Sequence, residues 1–312
     1  MLRGIHLNAQ KFNIDFIRIR MVSYIISGLI LATSIGFYFF NGLNFGIDFS
    51  GGTVMEVRFS SPIDIGKIRS DLGSVTAGEI FLQEFGTPQD LLIRIDQKNR
   101  TEEEQLDVVN QIKNLLNSDA TYRRIENVGP KMGGELISDS IQAVLWAMLA
   151  MLIYIWIRFE WHFGVCAVIA LMHDAVAVFG LYSVFGLEFN ASAIVSILIT
   201  IGYSINDTVV IYDRIRENLR KFKSKKIDAL LNLSINETLS RTILTSATTL
   251  LALSALYGLG GKTIQDYSLP ILIGVAVGTY SSIFIASPLL STFGMDLRSA
   301  EKDAEQNTTV KN

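Results

Sequence analysis

Six long apolar runs divide the chain, and each is about as long as a bilayer-spanning helix, which takes roughly 20 apolar residues. The predicted spans are residues 21–40, 137–157, 164–185, 191–212, 241–259 and 269–290. Small residues recur at helical spacing in two of them, which predicts faces for close helix packing: Gly28, Ala32 and Gly36 in span one, and Gly274, Gly278 and Ser282 in span six. The pattern is typical of a polytopic α-helical membrane protein with six transmembrane helices.

Between spans one and two, residues 41–136 turn polar and alternate in the manner of a water-exposed domain. Strands are predicted over 53–59, 79–85, 91–95 and 122–128, and helices over 64–72 and 101–116. Thr101 followed by Glu104 forms a capping box for the second helix. The glycines of 46–53, GIDFSGGT, favour a tight turn into the first strand. The order β-α-β-β-α-β predicts a ferredoxin-like α+β domain.

Composition agrees with this class, because 49% of the residues are hydrophobic. The net charge of −3 gives no basis for a nucleic-acid partner, and the single cysteine, Cys166, excludes an internal disulfide. Lysine and arginine cluster in 1–20 and in the predicted basic loop 213–240. The positive-inside rule therefore places both termini in the cytoplasm, including the tail 293–312, and domain 41–136 in the periplasm.

A carboxylate stands inside the fourth apolar run. Asp207, beside Asn206, lies in span four, and a charge there costs at least ~2.5 kcal/mol on insertion scales, so it should face protein or water. Ser196, Thr200 and Ser204 share its helical face. Arg241 opens span five, with Thr245, Thr248 and Thr249 on the face above it. At a 1.5 Å rise per residue, Asp207 lies about 9 Å and Arg241 about 7 Å inside the predicted span ends, so the two are predicted to meet at one depth.

Two interpretations of this pair stay open. Burial favours a protonated carboxyl and a nearby arginine favours the ionised form, so a movement of the arginine would load and release a proton. The alternative is a static ion pair, or a charge that reaches the membrane surface along its own side chain.

Other polar residues are candidates for supporting roles. His173 and Asp174, near the middle of span three, could belong to a proton relay or could join helices by hydrogen bonds, and the second role is favoured. Asp213 is interpreted as an interfacial cap at the end of span four. The sequence contains no P-loop, no HExxH and no nucleophile elbow, so no enzymatic chemistry, metal or cofactor is predicted.

Several motifs together resemble the SecF family of protein-export membrane proteins, within the resistance-nodulation-division transporter superfamily. They are GIDFSGGT, RFEWHFG, LMHD, IGYSINDTVVIYDRIRENLR, TLSRTILTSATTLL and IGVAVGTYSSIFIASPLL, and the resemblance covers about residues 15–292. It implies six spans with a periplasmic ferredoxin-like domain, in the inner membrane of a bacterium.

The resemblance also implies a function. Members pair with SecD, dock on the SecYEG channel, and use the proton motive force to complete preprotein export after the SecA ATPase has acted; YajC and YidC are further candidate partners. The family's proton-transport residues fall on Asp207 in SINDT and Arg241 in TLSRT. Two other functions remain as alternatives: a structural subunit that stabilises SecD and the channel, and an efflux half-transporter of the larger superfamily.

Overall fold

The computed structural model describes residues 13–73, 80–85, 87–95, 101–116, 120–128 and 130–293. Residues 1–12 of the predicted N-terminal segment and 294–312 of the predicted tail lie outside the described residues. The elements, in chain order, are α1 Arg20–Asn41, β1 Asn44–Phe45, α2 Ile47–Ser50, β2 Gly52–Phe59, α3 Ile65–Gly73, β3 Ile80–Phe85, β4 Thr87–Ile95, α4 Glu102–Leu116, β5 Ala120–Val128, α5 Pro130–Arg158, α6 Trp161–Phe185, β6 Glu188–Phe189, α7 Ala191–Lys221, α8 Ile227–Leu259, α9 Lys262–Ser281, a π-helical turn Ser282–Ala286, and α10 Ser287–Thr292.

Six helical segments are long and apolar enough to cross a membrane, which confirms the predicted fold class. They are α1, α5, α6, α7, α8 and the last segment, which runs through α9, the π-helical turn and α10. Three of them form the centre of the bundle: α6, α7 and α9 pack against one another. In its apolar window α6 is 56% buried, whereas the figures for α5 and α8 are 6% and 11%. The outer helices therefore keep wide apolar faces free within this chain.

The prediction of a basic loop over 213–240 is wrong, because most of this segment is helical. Helix α7 continues to Lys221 and α8 begins at Ile227, so that only a short turn separates them. These helical extensions are charged outside and apolar inside, with Ile215, Leu219 and Ile235 buried between them. Hydropathy marks where a helix leaves the membrane, and an amphipathic helix can continue beyond that point.

Polar contacts across the two extensions hold them together. Arg214 Nε donates to Glu237 Oε2 at 2.7 Å, and Asn218 Nδ2 donates to Ser234 Oγ at 3.0 Å. The Asn218 side chain is fully buried there. The turn that joins α7 to α8 therefore lies well away from the apolar part of the bundle. We call this end of the bundle the basic end, and the opposite end, which carries the α+β domain, the domain end.

The α+β domain between α1 and α5 has the predicted order of elements. Its four strands form one antiparallel sheet in the order β3-β4-β2-β5, which is the ferredoxin-like arrangement. Helices α3 and α4 cover one face, where Met55, Leu72, Ile93 and Ile112 are fully buried or nearly so. The capping box is confirmed: the Thr101 amide donates to Glu104 and the Glu104 amide donates to Thr101.

A salt-bridge cluster lies at one end of the sheet. Arg58 on β2 donates two hydrogen bonds of 2.6 Å to the Asp90 carboxylate on β4, and Thr87 donates a third of 2.7 Å. Arg123 on β5 lies 3.6 Å from the same carboxylate. The hydrogen bonds from Arg58 hold the pKa of Asp90 well below its usual range.

The domain is attached to the bundle through the glycine-rich turn. Gly51 and Gly52 have φ of 73° and 131°, values that side-chain-bearing residues rarely adopt, so the chain can turn from α2 into β2. The Asp48 carboxylate accepts a hydrogen bond of 3.0 Å from the amide of Ala191, the first residue of α7. Gly133 of α5 lies so close to the carbonyl of Phe49 that a Cβ would be 2.7 Å from its oxygen.

A second attachment involves the parallel pair β1 and β6. Arg94, at the end of β4, donates to the carbonyl of Phe45 in β1 and lies 3.9 Å from the carboxylate of Glu188 in β6. Burial raises the pKa of Glu188, and the charge of Arg94 opposes that rise. One arginine of the domain therefore holds both strands at the domain end of the bundle.

The segment before α1 closes the basic end. The Ile14 amide donates to Asn236 Oδ1 and the Ile17 amide to Asn232 Oδ1, both at 3.0 Å. Asn236 returns a hydrogen bond of 2.8 Å to the Ile14 carbonyl. Phe16 and Ile17 are buried in the core beneath. We call residues 14–17 the N-terminal clasp.

The two predicted small-residue faces have different outcomes. In α9, a Cβ at Gly278 would lie 2.9 Å from Cβ of Ser204 in α7, so the face at Gly274, Gly278 and Ser282 is confirmed. In α1, nothing lies within 4 Å of Gly28 or Gly36, so that prediction is wrong for this chain. Helix α1 packs on α6 through serines instead; Ser34 leaves no room for a Cβ on Gly180.

Candidate functional site

Asp207 lies in the packed centre of the bundle, on the face of α7 that the sequence predicts. Its side chain is 2% exposed, and Ser196, Thr200 and Ser204 line the same buried face. Ser246 Oγ of α8 donates a long hydrogen bond of 3.5 Å to Asp207 Oδ2. Ser246 also lies 2.7 Å from Oγ1 of Thr279 in α9. The carboxylate is therefore placed where α7, α8 and α9 meet.

Arg241 does not pair with Asp207. Both residues lie about 21 Å along their helices from the turn 222–226, so they lie at one depth, as predicted. They are further from the turn than a loop over 213–240 would place them, because both helices extend into that segment. The buried face of α8 contains Thr242 and Ser246, and Arg241 is rotated from Thr242 by about 100°. Its side chain is exposed, and within the described part of the chain no carboxylate oxygen lies within 4.0 Å of its guanidinium.

Asp174 forms a second buried centre. Its side chain is fully buried, and its two oxygens have three partners on three helices. Oδ1 lies 3.0 Å from Nδ1 of His173, while Oδ2 accepts hydrogen bonds of 2.6 Å from Ser204 Oγ and 2.7 Å from Ser281 Oγ. This carboxyl therefore joins α6, α7 and α9, which agrees with the predicted hydrogen-bonding role of the pair.

Hydroxyl groups continue from Asp174 along the contact between α7 and α9. Ser282 Oγ donates to the Ser204 carbonyl at 3.1 Å and lies 2.8 Å from Oγ1 of Thr208. The π-helical turn begins at Ser282, and Ser287 Oγ donates to the Ser282 carbonyl at 3.1 Å. π-helical turns are rare and recur at functional sites. Here the turn lies directly beside the polar contact between the two helices.

The remaining predicted residues lie outside this centre. Asn206 is exposed, on the face of α7 that lines an open cavity with α5. Thr245 Oγ1 donates back to the Arg241 carbonyl of its own helix at 3.1 Å. Asp213 accepts a hydrogen bond of 2.6 Å from Arg158 at the end of α5, which agrees with its interpretation as an interfacial group.

Two serines that donate hydrogen bonds to the buried carboxylates were not predicted from the sequence. Ser246 and Ser281 each contact one of them, and neither was singled out. The available signal was helical spacing, because Ser281 follows Gly278 by about one turn of α9 and Ser246 follows Thr242 by about one turn on the buried face of α8. No group of three His, Cys, Asp or Glu side chains placed to hold a metal ion occurs among the described residues.

Comparison with known proteins identifies the family. Residues 108–296 match the family of the protein export membrane proteins SecD and SecF, C-terminal part, and residues 39–63 match the SecD/SecF GG motif. The chain is 48% identical over 296 residues to protein translocase subunit SecF of Rickettsia rickettsii, with 93% of this chain and 94% of that protein covered. SecF of Rickettsia bellii is 47% identical over 296 residues, covering 93% of this chain and 96% of that one.

Solved structures agree. The crystal structure of SecDF from Thermus thermophilus, described as a translocon-associated membrane protein, superimposes with a TM-score of 0.78 and 35% identity. The superposition covers 91% of this chain and 39% of the SecDF chain. The crystal structure of a super-membrane-facing form of SecDF superimposes with a TM-score of 0.67 and 34% identity, and the superposition covers 94% of this chain and 40% of that one. This multi-pass membrane chain therefore belongs to the SecF family of protein translocase subunits.

Proposed function

We propose that this chain works together with SecD to convert the proton motive force into the late steps of preprotein export through SecYEG, after the ATP-driven action of SecA. The observation that supports this most directly is Asp207, a buried carboxylate inside the membrane-spanning bundle that accepts a long hydrogen bond from Ser246. A charge at that depth is costly, so binding a proton there removes a buried charge and changes how the helices around Asp207 pack.

Arg241 supports the need for a partner. It lies on the face of α8 that this chain leaves uncovered, at the depth of Asp207. An arginine facing lipid there would cost several kcal/mol, whereas a second helical bundle on that face would shield it. This chain corresponds to only 39% of the SecDF structure, which leaves room in such an assembly for a SecD bundle on α8.

The proposed cycle uses the pair as a switch. A proton from the domain side neutralises Asp207, and α7 and α8 then pack without a buried charge. When Arg241 moves toward the carboxyl, its charge favours the ionised form and the proton leaves toward the basic end. Each proton crossing contributes about 2.3 kcal/mol per 100 mV.

The direction of flow follows from the proposed orientation. The basic residues at the α7–α8 turn place that end, and both termini, in the cytoplasm, and the α+β domain in the periplasm. The links from Asp48 to Ala191 and from Arg94 to Glu188 connect that domain to α7 and β6. A shift of α7 would therefore pull on the domain that meets the emerging preprotein.

The test is gradient-dependent preprotein export in inner-membrane vesicles carrying Asp207→Asn, with assembly with SecD checked in parallel. We expect the complex to form and the gradient to lose its stimulating effect. Asp213→Asn is the matched control: it removes a carboxylate from the same helix that is paired with Arg158 near the surface, and it should leave the stimulation intact. Full stimulation in Asp207→Asn would instead support a structural subunit.

A further inference from the structure

The Asp174 centre has chemistry that simple helix packing does not require. A fully buried carboxyl in the membrane-spanning bundle carries two hydroxyl donors on Oδ2 and an imidazole nitrogen on Oδ1. Among the described groups in contact with it, His173 is the one that can carry a positive charge. The pair is therefore electrically neutral when it holds one titratable proton, on either the carboxyl or the imidazole.

One end of this pair is open. His173 is 4% exposed, and its Nε2 has no hydrogen-bond partner among the described residues. A buried polar atom without a partner is uncommon in folded proteins and calls for an explanation such as an unseen water or a functional role. Nε2 is therefore available to a water molecule or to an arriving proton while Nδ1 faces the carboxyl.

The position of the pair links the domain end to Asp207. Ser204, which donates to Asp174, lies one helical turn before Asp207 on the same buried face of α7. Toward the domain end the same face carries Thr200, whose buried Oγ1 has no partner among the described residues, and Ser196. Hydroxyls can accept and donate at once, so they can pass protons along a chain that includes water.

The groups that face Asp174 are few. On α6 there is His173, on α7 there are Ser204 and, one turn further, Asp207, and on α9 there is Ser281. Tyr280 of α9 has its ring 6.4 Å from that of His173, and its hydroxyl is engaged with Ser23 of α1. Arg241 lies on the exposed side of α8, too far from Asp207 for an ion pair but close enough for its charge to act on that carboxyl.

From this geometry we infer that His173 and Asp174 form a second proton-binding site, which receives protons from the domain end and passes them to Asp207 by way of Ser204. In the transfer, the O–H bond on Asp174 breaks as the Ser204 hydroxyl accepts that proton and donates its own to a water molecule, and this water passes a proton on, so that an O–H bond forms on Asp207. The pair is then reloaded through His173. This inference rests on the proposed proton-coupled function and adds the route by which Asp207 is loaded.

Asp174→Asn gives a direct test, because an asparagine can accept both hydroxyl bonds on Oδ1 and donate to His173 from Nδ2. Packing is then preserved and the exchangeable proton is lost. In the assembled complex with SecD, we expect Asp174→Asn to lose gradient-stimulated export over the whole external pH range. Ser183→Ala is the matched control: it removes a buried hydroxyl from the same helix, one that donates to the Gly42 carbonyl and does not contact Asp174, and it should retain full stimulation.

Infrared difference spectra of the same complexes in lipid give a readout that a structural role would not move. A carboxylic acid C=O band that changes with pH and disappears in Asp174→Asn is the expected result. Full gradient dependence in Asp174→Asn, or spectra without such a band, overturns the inference. If the Asp174→Asn chain fails to assemble with SecD, His173→Gln is measured instead. An unchanged pH profile of gradient-stimulated export in His173→Gln would also refute the second proton-binding site.

The outcomes separate this inference from the function on which it rests. If Asp207→Asn abolishes gradient stimulation and Asp174→Asn does not, the proposed function stands and the second site is refuted. If both variants export with full stimulation, the proposed function itself fails.

Discussion

The contact between α7 and α9 at Gly274 offers a quantitative test of how the bundle centre is packed. A Cβ added at Gly274 would overlap Oγ1 of Thr200 and would lie 3.0 Å from its Cγ2. Thr200 is fully buried, so the crowding falls inside the packed centre of the bundle. Gly274→Ala therefore overpacks the contact at a cost of about 1–3 kcal/mol. The substitution also gains about 1 kcal/mol, because alanine is the better helix former.

A double-mutant cycle separates the two effects. Thr200→Ala removes the two nearest of the atoms that crowd the new Cβ and leaves only the Thr200 Cβ, at 3.1 Å. The gain in helix propensity is the same in either background, so it cancels. We expect a coupling energy of about 1–3 kcal/mol, with Gly274→Ala harmful in the wild-type chain and harmless beside Thr200→Ala. Gly202→Ala is the matched control, because nothing lies within 4 Å of that glycine. It should be neutral or stabilising by about 1 kcal/mol.

The single cysteine supplies the assay. Cys166 is fully buried, so a maleimide dye that fluoresces on reacting with a thiol reports its exposure during heating. At about 2–4 °C per kcal/mol, the expected coupling corresponds to a difference of about 2–12 °C between the melting-temperature shift of the double variant and the sum of the shifts of the two single variants. If the melting-temperature shifts of the two single variants simply add in the double variant, α7 and α9 do not touch at this position and the described packing of the bundle centre is wrong.

Two further predictions concern the α+β domain and its attachment. Because Arg58 lowers the pKa of Asp90, the ionised Asp90 stabilises the fold above about pH 4, and this stabilisation declines as the pH falls toward the folded-state pKa. Thermal unfolding should therefore show that Asp90→Asn destabilises the domain more at pH 7 than at pH 3. An equal loss of stability at the two pH values would contradict the pairing. Arg94→Ala removes the link to β1 and leaves the Glu188 carboxylate without its cation, so the pKa of Glu188 should rise further. Hydrogen exchange should then speed up at Phe45 and Phe189 while the β2 and β4 amides stay protected; unchanged exchange at the two phenylalanines would argue against this link.

Much of the fold could be predicted because its main signals are local. Apolar runs mark the spans, and alternation with Thr101 and Glu104 marks the domain elements. The ends of α7 and α8 were missed because Ile215 and Ile235 are isolated apolar residues among charged ones, and only their mutual packing shows that the helices continue. The face of α1 that packs on α6 was predicted wrongly for a related reason. Serine and glycine are both small, and their spacing alone does not show which of them contacts α6.

The site was predictable in part. A lone carboxylate in an apolar run is conspicuous, so Asp207 and Asp174 were found. The direction of each hydroxyl was not, because a serine or threonine in a helix can bond its own backbone or cross to a neighbour. Thr245 does the first and Ser246 the second, although they are adjacent in sequence. Whether Arg241 turns toward Asp207 depends on a helix rotation that residue spacing alone does not fix.

The N-terminal clasp has a consequence for the order in which the chain is completed. Residues 14–17 leave the ribosome early, but their partners Asn232 and Asn236 follow more than two hundred residues later. The clasp therefore cannot close until four membrane helices and the α+β domain have been synthesised. Its closure is a late event that seals Phe16 and Ile17 into the core only when α8 has arrived. Chains that stop before α8 would keep these two apolar side chains uncovered, which is the kind of exposed surface that cellular quality control recognises.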